Sequence, residues 1–94
     1  AITVGAQMVA EPIWIDVRTR AEHLIDNVEG DIWIPHKKIV PEVVKRIPEK
    51  NTQIRLYCRS GVRSAKAMEA LMSVGYTQVY NAGGIAEARS ERGL

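Results

Sequence analysis

One cysteine in the whole chain, Cys58, rules out an internal disulfide. With only His23 and His36 beside it, the four cysteine and histidine ligands of a structural zinc site cannot be assembled. Long apolar runs are missing too. The longest stretches of large aliphatic and aromatic side chains, such as Ile13-Trp14-Ile15, fall far short of the roughly 20 residues that span a bilayer, so no membrane partner is expected. Neither sign of charge dominates: thirteen Lys and Arg stand against eleven Asp and Glu. That balance is too even for a protein that neutralises many nucleic-acid phosphates. Repeats, low-complexity tracts and linkers are also absent. What is left, 94 residues that are 46% hydrophobic and 26% charged, describes one domain over residues 1–94 with room for only a small site.

The charge that is present is gathered in one place. Between Ile54 and Lys66 lie Arg55, Arg59, Arg63 and Lys66 with no acid, and the remainder of the chain has nine cations against eleven acids. Cys58 sits in the middle of that segment.

Periodicity places the segment in a fold. Ile13-Trp14-Ile15-Asp16-Val17 is β-prone, and Thr19 followed by Glu22 forms a capping-box pattern that predicts a helix over 20–27, stopped by Gly30. Ile32-Trp33-Ile34 before Pro35 is a second extended segment. Val40, Val43, Val44 and Ile47 form an amphipathic stripe between Pro41 and Pro48. Ile54-Arg55-Leu56-Tyr57 is a third strand ending at Cys58. A helix carrying Ala65, Met68, Leu71 and Met72 on its buried face follows, until Gly75. Thr77 to Tyr80 reads as a fourth strand, and Gly83-Gly84 opens a last short helical segment ending near Gly93. Ile2 to Val4 supplies a possible edge strand, and about Gly5 to Glu11 a reduced helix. Strands alternating with helices make an α/β three-layer sandwich around a mostly parallel sheet of four or five short strands. In such sheets ligands bind at the carboxyl ends of strands, where Cys58 falls.

The loop Cys58-Arg59-Ser60-Gly61-Val62-Arg63 carries the chemistry. Ser60 and Gly61 permit a tight turn whose amides point inward, and the next helix adds its unpaired N-terminal N–H groups. Such a cradle binds anions, and a thiol at its centre is pushed toward the thiolate by the amides and by nearby guanidinium charge. A lone cysteine is ordinarily an inert, buried hydrophobe. That role would not call for two arginines and a glycine at a strand-to-helix turn. Arg63 in a helix's first turn opposes the dipole unless an anion is bound, whereas Arg59 is as readily a solvated side chain. Lys66 and Arg55 read as surface charges adding to the local field. His23, on the first helix, and His36, in a surface turn, are not needed as bases by a preformed thiolate. Trp14 and Trp33 read as packing residues.

With Ile15-Asp16-Val17-Arg18, Val28 to Pro35, the CRSGVRS loop from Cys58 to Ser64, Met72-Ser73-Val74-Gly75-Tyr76 and Asn81-Ala82-Gly83-Gly84-Ile85 in this order, the chain resembles the single-domain rhodanese family over nearly its whole length. The resemblance implies a five-stranded parallel sheet. It implies a thiosulfate sulfurtransferase in which Cys58 takes a sulfane sulfur as a persulfide and passes it to cyanide or a thiol, without cofactor or metal. Arg59, Ser60, Gly61, Val62 and Arg63 would line the substrate site, and Asp16 and Arg18 would be structural. A monomer in the bacterial periplasm is the expected form, Ala1 being read as the start of a mature exported or trimmed chain. Asn27, Asp31, Trp33 and Ala88 depart from the family pattern and bear on packing and acceptor choice.

Two other readings stand beside this one. A persulfide carrier would hand its sulfur only to a thiol-bearing protein partner. Cysteine phosphatases and arsenate reductases use a similar cradle, but with five residues between Cys and Arg; here four intervene and position 64 is Ser.

Overall fold

The computed structural model describes residues 11–94. Their elements run β1 (Ile13–Asp16), α1 (Arg20–Ile25), β2 (Ile32–Trp33), a 3-10 turn (His36–Lys38), α2 (Ile39–Arg46), β3 (Ile54–Cys58), α3 (Val62–Ser73), β4 (Val79–Gly84) and α4 (Ile85–Arg92). The four strands form one parallel sheet in the order β2-β1-β3-β4. Chain direction across the sheet reverses between β1 and β3. Their adjacent carboxyl ends, Asp16 and Cys58, therefore mark the crevice where open α/β sheets bind ligands. The edge strand at Ile2 to Val4, and with it the fifth strand, lies outside the described residues, as does nearly all of the helix expected over Gly5 to Glu11. Among the described residues no helix is long and apolar enough to cross a membrane.

Period-two alternation divides β3 between two cores. Ile54, Leu56 and Cys58 face Ile15, Val43, Ala67 and Leu71, while Tyr57 turns to the opposite face with Val28 and Ala88. Trp14, from β1, packs against that second cluster and lies 6.4 Å from Tyr57 between ring centroids. Ala88, where the family pattern has tryptophan, is fully buried there beside the indole of Trp14.

Several boundaries differ from the sequence expectation. The first helix ends at Ile25, not at residue 27, because Asp26 turns extended and its carbonyl is taken by Arg18. Gly30 stands beyond that end, in a turn closed by the Asp31 amide on Val28. On α2 the buried set is Ile39, Val43 and the following Ile47, one residue per turn, while Val44 is 41% exposed. On α3 the buried set is Ser64, Ala67 and Leu71, with Met68 packed against the same core; the expected Met68, Leu71 and Met72 face is corrected at Met72, which is half exposed. The phase of α3 is fixed at its start, where the loop after Cys58 turns Ser64 inward. Gly75, at φ +103°, ends α3 as expected, with the Tyr76 amide bonding back to Leu71. The fourth strand begins at Val79 and continues through Gly84 instead of ending at Tyr80. The buried Tyr76 hydroxyl donates to the Ile47 carbonyl at 2.5 Å, tying the end of α3 to the end of α2.

Candidate active site

β3 delivers Cys58 to the sheet's carboxyl edge with no exposed surface of its own. Arg59 and Ser60 begin a reversal that Gly61 completes at φ +95°, a conformation glycine adopts without strain. The Gly61 amide then points back at the sulfur and donates to Sγ at 3.0 Å. Cys58 is packed among aliphatic neighbours, yet its sulfur is met by the polar lining of its own loop.

The end of β4 clamps this loop from below. Asn81 donates from Nδ2 to the Gly61 carbonyl at 2.9 Å, and its Oδ1 accepts from the Gly83 amide at 2.9 Å and from the Ser64 hydroxyl at 2.6 Å. Gly84 abuts the Arg59 carbonyl so closely that a methyl group there would collide with it. Glycine at 84 is thus required by proximity to the loop.

Burial alone would push the Cys58 thiol up. Hydrogen bonds from the Ser64 hydroxyl and from the amides of Ser64, Ser60 and Gly61 outweigh it and hold the thiol below its ordinary value. The Ser64 hydroxyl lies 3.4 Å from Sγ and is fully buried. It has one proton for two acceptors, Asn81 Oδ1 and the sulfur. A neutral thiol leaves that proton with Asn81; a thiolate draws it toward sulfur.

Arg63 projects across the mouth of the loop to Glu22, which it holds with both guanidinium nitrogens at 2.7 and 3.0 Å. Glu22 is itself fixed by the capping box, accepting from the Thr19 amide and hydroxyl at 3.0 Å. The Arg63 pairing, with those Thr19 bonds, brings the Glu22 carboxyl down to about 2. The anion that relieves Arg63's conflict with the helix dipole is therefore Glu22, and the guanidinium still feels the charge of Cys58. Arg59 is exposed, makes no ion pair among the described residues, and lines an open groove with Arg18, Glu22, Ile25, Asp26 and Ile85. Val62 is 60% exposed at the first position of α3.

Asp16 and Arg18 form the buried strand-end pair anticipated from sequence, bonded at 2.9 and 2.8 Å. His23 joins them, its Nδ1 2.9 Å from Asp16 Oδ2 and its ring stacked on Trp33. Trp33 donates to the Arg18 carbonyl, Asn27 to the His23 carbonyl, and Asp31 accepts from the Tyr57 hydroxyl and both nitrogens of Arg92. The departures from the family pattern are thus joined into the packing behind the site. Arg55 pairs with Glu91 and lies over Trp14 and Tyr80, on the far face of the sheet.

Sequence reasoning missed three site residues. Ser64 was visible only as the last residue of the CRSGVRS loop, Glu22 only as the partner of Thr19 in a capping box, and Asn81 only as the first residue of the Asn81-Ala82-Gly83-Gly84-Ile85 segment. Their convergence depends on tertiary contacts 17 to 41 residues apart in sequence.

A family model described as "Rhodanese-like domain" matches residues 4–91. The chain is 36% identical over 85 residues to the thiosulfate sulfurtransferase PspE of Escherichia coli K12, covering 90% of this chain and 82% of that one. It is 35% identical over 80 residues to a sulfurtransferase of Allochromatium vinosum, covering 85% of this chain and 73% of that one. Among solved structures, a rhodanese with anions from E. coli superposes with a TM-score of 0.77 at 38% identity, covering 82% of this chain and 91% of that one.

Proposed function

This chain belongs to the rhodanese-like domain family, and from that membership and the loop geometry we propose that it is a thiosulfate sulfurtransferase working through a Cys58 persulfide. The observation that carries the reading is the Gly61 amide aimed at the Cys58 sulfur from within a loop that begins at that sulfur and runs into α3. Such amides stabilise a thiolate and later a persulfide anion without asking for a proton acceptor.

In the first step the Cys58 thiolate attacks the outer, sulfane sulfur of thiosulfate. The S–S bond of thiosulfate breaks, sulfite leaves with the bonding pair, and Cys58 carries a terminal sulfur bearing one negative charge. In the second step cyanide or a thiolate attacks that terminal sulfur. Thiocyanate or an organic persulfide forms, and the Cys58 thiolate is regenerated. Neither step consumes an external oxidant or proton. The amides of Ser60, Gly61 and Ser64 face the charge at both stages, and the Ser64 proton follows it. Arg59 and Arg63 supply the cationic rim for the leaving sulfite.

Thiocyanate formation from thiosulfate and cyanide tests the reading. Wild-type protein turns over, and Cys58→Ser, folded by circular dichroism, does not; equal thiocyanate from the two proteins overturns it. A periplasmic location belongs to the same proposal, and cell fractionation tests it.

A further inference from the structure

Arg63 cannot hold an anion at the mouth of the Cys58 loop and keep its ion pair at the same time. Both terminal nitrogens of its guanidinium are taken by Glu22, at 2.7 and 3.0 Å. The two ends of that pair are anchored differently. Glu22 Oε1 also accepts from the Thr19 amide and hydroxyl, both at 3.0 Å, so the carboxylate keeps two bonds to its own helix cap when Arg63 leaves. The Arg63 guanidinium, carried by the second position of α3, has no other hydrogen-bond acceptor among the described residues. The two side chains are 26% and 27% exposed, so parting them returns each charge to water and strands neither in the core. The bridge thus joins a fixed carboxylate to a movable arm. With its carboxyl brought down to about 2, Glu22 stays an anion throughout the neutral range.

The chemistry of the first step gives such an arm a task. Thiosulfate and sulfite present the same SO3 group and both carry two negative charges, so a rim that only attracts would hold the product as firmly as the substrate. Sulfite left in the mouth would then block access to the persulfide. A fixed carboxylate competing for the same guanidinium loosens that hold and re-forms the resting pair as sulfite departs.

We propose that Glu22 is a positioning residue for the sulfur donor, acting through Arg63: the guanidinium exchanges the Glu22 carboxylate for the SO3 group of thiosulfate and returns to Glu22 as sulfite leaves. The assignment rests on the sulfurtransferase reading above and adds to it how the donor is held and its product released. The exchange makes and breaks no covalent bond beyond the S–S cleavage already described. One cation passes between two anions, and charge balances at each stage.

The test uses Glu22→Gln, folded by circular dichroism, in which a side-chain oxygen still accepts from Thr19 but the charge is gone. Persulfide loading is followed by rapid quench and intact mass across thiosulfate concentrations, and sulfite binding to unloaded protein by calorimetry. In the variant the half-saturating concentration of thiosulfate is expected to fall about fivefold and sulfite to bind about fivefold more tightly, the effect of releasing one partly exposed ion pair. A merely structural Glu22 gives the opposite sign, since losing the bridge would loosen the loop and weaken both. In an Arg63→Ala background the same substitution should change either quantity less than twofold, because the residue through which Glu22 acts has gone. Unchanged or weaker binding of thiosulfate and sulfite by Glu22→Gln overturns the exchange, as does a gain that persists undiminished without Arg63. Failure of thiosulfate to load sulfur on the wild-type protein overturns the sulfurtransferase reading and the exchange with it; normal loading with no shift in the variant overturns the exchange alone.

Discussion

Removing the Ser64 hydroxyl separates the hydrogen-bond contribution to Cys58 from every contribution of net charge. Ser64 is fully buried, and its one proton lies between Asn81 Oδ1 at 2.6 Å and the sulfur at 3.4 Å. A hydrogen bond to a charged group contributes roughly 1.5–3 kcal/mol. Because this proton is shared, Ser64→Ala should cost the thiolate an amount at the lower end, about 1.5 kcal/mol, and so push the thiol up. The effect on folding should be smaller, about 1 kcal/mol, since Asn81 Oδ1 keeps the Gly83 amide and no acceptor is orphaned. The assay is the rate of persulfide formation at fixed thiosulfate across pH, read by rapid quench and intact mass, alongside denaturant melts. Wild type should reach its plateau at lower pH than the variant, with similar plateau rates. An inflection that does not move, or that moves downward, would refute the claim that the loop's hydrogen bonds set the thiol's acidity.

Gly84→Ala should destabilise the protein by about 1–3 kcal/mol and suppress thiocyanate formation, because its methyl meets the Arg59 carbonyl in a well-packed strand end. Gly30→Ala is the contrasting case, with open space around the added carbon and φ +92°. It should cost about 1 kcal/mol from backbone strain in a thermal melt and leave kcat unchanged. Glu22 has its carboxyl near 2 in the fold against 4.5 unpaired, so the stability it adds is present above about pH 4.5 and lost as pH falls toward 2. Discounted for its partial exposure, that contribution is about 1 kcal/mol, and Glu22→Gln should remove this part of the acid dependence of unfolding in urea. Arg63→Ala should weaken kcat/KM for thiosulfate by roughly 1.5–3 kcal/mol; unchanged kinetics would make Arg63 a strut for Glu22 only.

The parts of this molecule that depend on local pattern were legible in its sequence. The β-prone run Ile54 to Tyr57 ending at Cys58, the Thr19 and Glu22 capping box and the Gly75 stop each act through neighbours a few residues away, and each stands in the structure as anticipated. The turn around Cys58 was legible for the same reason, since it is made of the residues that follow that cysteine. Helix faces were read less well. The expected stripe on α3 holds at Leu71 and at Met68 but not at Met72, and Ser64 spends a buried position on a polar contact that hydropathy disfavours. The partners of the loop were not legible at all. Nothing in the order of residues says that Glu22, from the other side of the sheet's switch point, meets Arg63, or that Asn81 reaches beneath Gly61. These are consequences of strand order, which brings β1 and β4 to either side of β3.

The most direct measurement is the mass of the intact chain after brief exposure to thiosulfate and removal of the excess. A thiolate seated among inward amides should gain the mass of one sulfur atom, located on Cys58 by peptide mapping and lost again on adding cyanide. Folded protein whose mass stays unchanged, or an equal gain in Cys58→Ser, would contradict the assignment of this loop as the place where sulfur is taken up.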